Sequence, residues 1–160
     1  MNAGILPICL LFVAFGLTLS FASLRDALLG AICLAVTALL VASLNVSASA
    51  LEPVFVGLWV SCIATVALMH VSRHLKTGLA VAVGLNAGAW TGALAAITPL
   101  RSMLLYALPI LLLVIPGQWL VGRGYGIALK VVGSWVVAVA ILAIFVSLTP
   151  TPGYKPDHMQ

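Results

Sequence analysis

Gly78 to Ala96 reads GLAVAVGLNAGAWTGALAA. It is apolar enough to lie in hydrocarbon, yet one line along it carries almost no bulk. Ala80, Gly84, Gly88, Gly92 and Ala96 recur every four residues. In a helix that spacing stacks small residues into one groove, where a neighbouring backbone can come close. Asn86 interrupts the same stretch, about nine residues in, and its amide both donates and accepts. It falls roughly 200° around the helix from Gly84, with Trp90 one turn further along its own face. The stretch thus has two sides that each call for a protein neighbour, which predicts a central place for it in a helical bundle.

The rest of the chain fits that setting. Of 160 residues 64% are hydrophobic and 6% charged, whereas soluble domains carry roughly a quarter charged residues. Arg25, Asp26, Glu52, Arg73, Lys76, Arg101, Arg123, Lys130, Lys155 and Asp157 are the ten charges. The stretches 1–24, 27–51, 53–72, 77–100, 102–122 and 131–154 between them hold none. Each is of bilayer length, since about 20 apolar residues cross roughly 30 Å of hydrocarbon. The predicted fold is all-α: a polytopic integral membrane helical bundle of about six transmembrane helices with short loops. The spans are expected at about 4–24, 27–44, 53–72, 77–97, 101–118 and 127–148, forming one domain (1–148). The Pro-rich tail 149–160 is expected to be extended.

Met1-Asn2-Ala3 offers no positive charge, so the first span is read as a helix of the mature protein rather than a leader. Glu52-Pro53 suits the start of the third span, because Pro in a first turn loses no hydrogen bond and an acid there matches the helix dipole. In the fifth span Pro109 and Pro116 are expected to break the helix by freeing the carbonyls of Leu105 and Leu112. With six spans, the loops after the first, third and fifth share a side and carry Arg25, Arg73, Lys76, Arg123 and Lys130. The other side carries Arg101 and Lys155. The basic side is expected to be cytoplasmic, with both termini on the non-cytoplasmic side. A bacterial-type inner membrane is the default on compactness.

The net charge of +4 is scattered singly at helix ends, so nucleic acid is not an expected partner. The lipid bilayer is, together with a homo-oligomer or partner membrane subunits. Cys9, Cys33 and Cys62 sit in apolar blocks and read as free thiols. His70 and His74 are four apart and are the metal candidates, but a site wants three or four ligands and no carboxylate is near. Asn45-Val46-Ser47 matches a glycosylation sequon by three residues only. Gly122-x-Gly124-x-Gly126 lacks the longer spacing and later acid of a dinucleotide loop and reads as a turn.

No charge lies deep in any span, where proton relays and ion-coupled pumps usually keep one. No triad, carboxylate pair or metal cluster is present either, so neither an enzyme nor a cofactor is expected. Two functions remain. One is a permease or channel-like role for a neutral or weakly polar solute, with Asn86 and Trp90 as polar contacts. The other is a non-catalytic accessory or assembly subunit of a larger membrane complex. If Asn86 is only structural, it is expected to cap a carbonyl freed on another helix, such as that of Leu105.

Overall fold

The computed structural model describes residues 5–44, 46–71, 74–98 and 108–148. Arg73, Arg101, Leu105, Asn45 and the tail 149–160 lie outside them. The described part is all-helical. Helix α1 is Ile5–Leu19, α2 is Leu24–Ala42, and α3 is Leu51–Val71 after a short 3-10 turn at Ala48–Ala50. Helix α4 is Thr77–Ile97; a 3-10 segment, Leu108–Leu113, then leads into α5, Val114–Gly122, and α6 is Gly126–Leu148.

Among the described residues, four stretches are long and apolar enough to cross a membrane: Leu24–Ala42, Ala48–Val71, Thr77–Ile97 and Gly126–Val146, with mean hydropathy from 1.5 to 2.4. At 1.5 Å per residue each spans roughly 30 Å. Leu6–Leu19 and Pro109–Gly122 are shorter apolar helices. The outward faces are greasy: Leu28, Ile32, Val36 and Leu40 on α2, and Ile127, Val131, Trp135, Leu142 and Val146 on α6, are all at least half exposed. Soluble monomers rarely show apolar faces of that extent. These are the helices of an integral membrane protein.

Local chemistry sets the ends. Ser23 caps α2: its hydroxyl oxygen accepts from the backbone N–H of Asp26 at 3.2 Å and donates to the Asp26 carboxylate at 2.6 Å. This near-capping-box arrangement draws Arg25 and Asp26 into the first helical turn, so α2 begins at Leu24 rather than at the expected 27. Pro116 also behaves differently from expectation. It does not end a helix but sits third in α5, where its missing N–H would have had no intrahelical acceptor. The irregularity lies upstream, in the 3-10 segment that contains Pro109.

The packing is five helices around one, and the one is α1. From Leu11 to Ser20 every α1-side residue except Val13 is buried, and Leu11, Phe12, Ala14, Phe15 and Leu19 are fully so. It touches α2, α3, α4, α5 and α6 in turn. Around it the order is α2, α4, α3, α6, α5, with an apolar cleft of about 230 Å³ between α5 and α2. The expected central place of the fourth span is therefore corrected. α4 sits in the ring, and the all-round apolar α1, which has no polar side to present anywhere, takes the middle.

Directions alternate. Gly30, Leu34 and Ala38 of α2 lie beside Gly84, Gly88 and Gly92 of α4 in the same order, so these two helices run parallel. Gly16 lies beside Leu113, and Ser20 beside Gly117, so α1 and α5 are parallel too. Gly133 of α6 meets Val66 and Met69 of α3; Gly126, which begins α6, lies beside Phe21, and Leu75, just beyond α3, bonds to the Phe21 carbonyl, so this pair is antiparallel. The segments 20–23, 74–76 and 123–125 consequently lie together at one end of the bundle. At that end the N–H of Leu75 donates to the carbonyl of Phe21 at 3.2 Å, and Ala22 and Leu75 form a parallel bridge. The first two hairpins thus repeat in the same sense with a shift of 53 residues, from Ala22 to Leu75 and from Leu24 to Thr77. This is a parallel repeat of hairpins.

The small-residue line on α4 makes the closest seam of the bundle. A Cβ added at Gly88 would stand 2.5 Å from the Leu34 carbonyl oxygen, and one at Gly92 would stand 2.6 Å from that of Ala38. One at Gly84 would strike the Gly30 carbonyl, and Gly30 in turn faces the Ala80 carbonyl. Backbone lies on backbone, the geometry by which small residues drive helix association in lipid. Ala96 is only half buried, and Ala95 is buried in its stead. A four-residue repeat drifts by about 40° per step, so after four steps the contact passes to the preceding residue.

Candidate functional site

The polar groups at mid-depth collect in the seam between α3 and α4. Asn86, in the middle of α4, donates through Nδ2 to Ser61 Oγ of α3. Its Oδ1 accepts from Trp90 Nε1, one turn along, at 3.2 Å. Ser61 and Thr65 are buried, while Asn86 stays exposed on the outer side of the ring. On the inner side of the same seam Thr18 of α1 donates to the Thr65 carbonyl at 3.0 Å and to that of Ala14 at 2.8 Å. Polar groups therefore occur both in the core, at Thr18, and at the surface, at Asn86. A shallow cleft of about 210 Å³ opens beside Asn86, floored by Ala64, Thr65 and Ala82 and rimmed by Leu68 and Leu79.

The structure brings Asn86 and Trp90 together, as their spacing predicts, and gives them a partner that sequence reasoning missed. Ser61 is that partner. Gly57, one turn before it, lies against the tip of the Trp90 ring, where any side chain would collide with the indole. The signal was there: Gly57, Ser61 and Thr65 recur every four residues, a short small-polar line matching Asn86 and Trp90 opposite. Nearby, the indole N–H of the fully buried Trp59 has no partner among the described residues; its ring meets Phe55 edge-on at 6.1 Å.

A second polar place lies where the hairpin turns gather. A cavity of about 480 Å³ is lined by Ser20, Ser23, Asp26, His74 and Gln118 among others. Gln118 Nε2 donates to the Ala22 carbonyl at 3.1 Å, tying α5 to the first turn. Gly117 lets α5 close on Ser20, whose hydroxyl donates to the Gly16 carbonyl at 2.9 Å. Cations flank this end. Arg123 stacks 4.0 Å over the Trp119 ring, and Lys130 Nζ reaches to 5.8 Å from the Phe21 ring. At the opposite end Glu52, Ser49, Phe55 and Thr98 border a cavity of about 610 Å³.

The two histidines are not brought together on one helical face. His74 lies in a bend outside the helix and lines the cavity there. His70 remains on the helix, with Nδ1 3.1 Å from the Val66 carbonyl and Nε2 3.5 Å from Ser134 Oγ. Among the described residues no three His, Cys, Asp or Glu side chains group as metal ligands would. The cysteines are free: Cys9 and Cys33 half-buried, Cys62 buried with Sγ 3.8 Å from the Leu10 carbonyl. No protein-family model, characterised protein or solved structure matches the chain.

Proposed function

We propose that this chain is a non-catalytic membrane subunit that works by assembling with other membrane proteins through its outer faces. The observation that carries the reading is Asn86. Its amide has two N–H donors, one of which goes to Ser61; the other has no hydrogen-bond partner among the described residues, and Asn86 is exposed in the middle of an apolar helix. A polar hydrogen left unpaired in hydrocarbon costs several kcal/mol, so a protein neighbour on that face is favoured over lipid. The filled centre supports the same reading. Leu11, Phe12, Phe15 and Leu19 of α1 occupy the axis along which a solute would otherwise pass.

A permease for a neutral or weakly polar solute is the second reading, and the polar cavity at the turn end favours it. Such a solute would have to skirt α1 and travel between helices, past Asn86. Purification in a gentle detergent, with identification of what co-purifies, tests the first reading: a stoichiometric membrane partner supports it. A lone protein that conducts solute in proteoliposomes, with flux abolished by Asn86→Ala, would favour the permease.

Both readings use six crossings. α1, α3 and α5 run toward the turn end and α2, α4 and α6 away from it, an alternation that six crossings explain. Arg25, Lys76, Arg123 and Lys130 gather at the turn end, which favours that end as the cytoplasmic one, with both termini opposite, in a bacterial-type inner membrane. Single cysteines replacing Ser23, His74 and Gly124 in a background free of native cysteine should react with an impermeant maleimide from the same side, and one replacing Ser47 from the other. Any of the three turn positions reacting from the opposite side would refute the threading.

A further inference from the structure

We propose that the α3–α4 face is the seam of a homodimer in which Asn86 pairs with Asn86 of a second copy. This deepens the assembly reading above, and rests on it, by naming the surface and its occupant.

The chemistry of the exposed group selects the partner. An asparagine amide has two N–H donors and a carbonyl with two lone pairs. Ser61 takes one donor and Trp90 fills one lone pair. One donor and one lone pair remain, and each is the complement of the other. A two-fold axis sets a residue opposite its own copy. Two Asn86 side chains across such an axis complete each other with two reciprocal N–H···O bonds. A lipid chain supplies neither group. A charged partner helix is not called for, since the sequence has no Asp, Glu, Lys or Arg between Glu52 and Arg73 or between Lys76 and Arg101.

The shape agrees with close approach. Beside Asn86 the exposed side chains include Ala64 and Ala82, and Gly57 is half-buried under Trp90. Leu85 stands out next to them at 46% exposed, and the cleft of about 210 Å³ beside Asn86 is the hollow into which the copy's equivalent knob fits. The α2 face and the Trp135 side of α6 carry large apolar side chains, for which lipid tails are as good a solvent as protein. Ser134 donates to the Lys130 carbonyl at 2.9 Å and lies beside His70, nearer the turn end, so that pair leaves less to be covered.

The test is energy transfer between donor- and acceptor-labelled copies of the full chain in phosphatidylcholine vesicles, followed as lipid dilutes the protein. The wild type should keep its transfer through a tenfold dilution. Asn86→Leu should weaken association by about tenfold, Asn86→Gln should retain most of it, and Trp135→Ala should leave it unchanged. Ala82→Trp alters only an outward position, so it should fold whatever happens to Asn86→Leu, and its bulk should abolish transfer. Wild-type transfer no greater than random crowding overturns the dimer, as does equal association in Asn86→Leu and Ala82→Trp. A stoichiometric different partner with no self-transfer overturns the dimer while leaving the assembly reading standing; a lone monomer overturns both.

Discussion

Replacing Gly88 by Ala is the sharpest perturbation of the fold. The new Cβ would stand 2.5 Å from the Leu34 carbonyl oxygen, 2.9 Å from Thr37 Cβ and 3.1 Å from Ala38 N. A carbon and a carbonyl oxygen rest at about 3.3 Å or more, so α2 and α4 must part by roughly 0.5–0.8 Å. Two of the three obstacles are backbone and cannot turn aside. A gap of that size forfeits about a quarter to a half of each dispersion contact along the seam. It also loosens the Cα–H···O approaches at neighbouring glycines, worth about 0.5–1 kcal/mol each. With the usual overpacking penalty of about 1–3 kcal/mol the gross loss is about 3 kcal/mol. Alanine recovers up to about 1 kcal/mol through its helix preference, leaving a net loss of about 2 kcal/mol. Gly78→Ala is the matched control: the same substitution in the same helix with nothing within 4 Å of the new Cβ. It should be neutral or gain up to about 1 kcal/mol. Equilibrium unfolding in mixed micelles titrated with dodecyl sulfate, read by tryptophan fluorescence, measures both. Equal midpoints for the two variants would refute the close α2–α4 seam.

Further outcomes follow from single contacts. Ser61→Ala removes the acceptor of the Asn86 amide and should cost about 1 kcal/mol in the same titration, with a shift in Trp90 emission; Ser61→Thr, which keeps the hydroxyl, should lose less. Gln118→Ala deletes the 3.1 Å bond to the Ala22 carbonyl and should cost about 1 kcal/mol while speeding hydrogen exchange in the turn 20–23. In the folded protein a membrane-permeant maleimide should modify Cys33 and Cys9 before Cys62, which is fully buried; mass spectrometry of the labelled peptides reads the order, and early modification of Cys62 would contradict its packing against α1.

The sequence was legible where a residue's chemistry is the same in every surrounding. A charge sits at a helix end wherever the helix lies, so the gaps between charges located α2, α3, α4 and α6 to within a few residues. Gly84, Gly88 and Gly92 marked a close approach because a missing Cβ has few other uses at that spacing. Other features depend on what stands next door. Pro116 removes an N–H, but whether that breaks a helix or begins one depends on where the preceding turn starts. His70 and His74 share a face only if the helix extends as far as His74, and His74 lies outside it.

The misplaced centre of the bundle has a deeper cause. In water, the apolar side of a helix points inward and the sequence pattern shows which side that is. In lipid both surroundings are apolar, so the alternation of Leu and Ala along α2 or α4 carries little of that signal. What remains is the placement of groups that lipid cannot serve. α4 has two of them, the glycine line facing α2 and Asn86 facing Ser61, which fits a helix with neighbours on two sides but does not make it the axis. α1 has polar atoms that turn back on its own backbone, Thr18 to Ala14 and Ser20 to Gly16. It can therefore be enclosed on every side without cost, and Phe12 and Phe15 fill the space that its neighbours leave. The same rule singles out Asn86 on the outer surface. Unlike the buried Trp59, it is an exposed residue at mid-depth whose needs the described residues meet only in part, so the lateral surroundings of α3 and α4 are where the protein's partners should be sought.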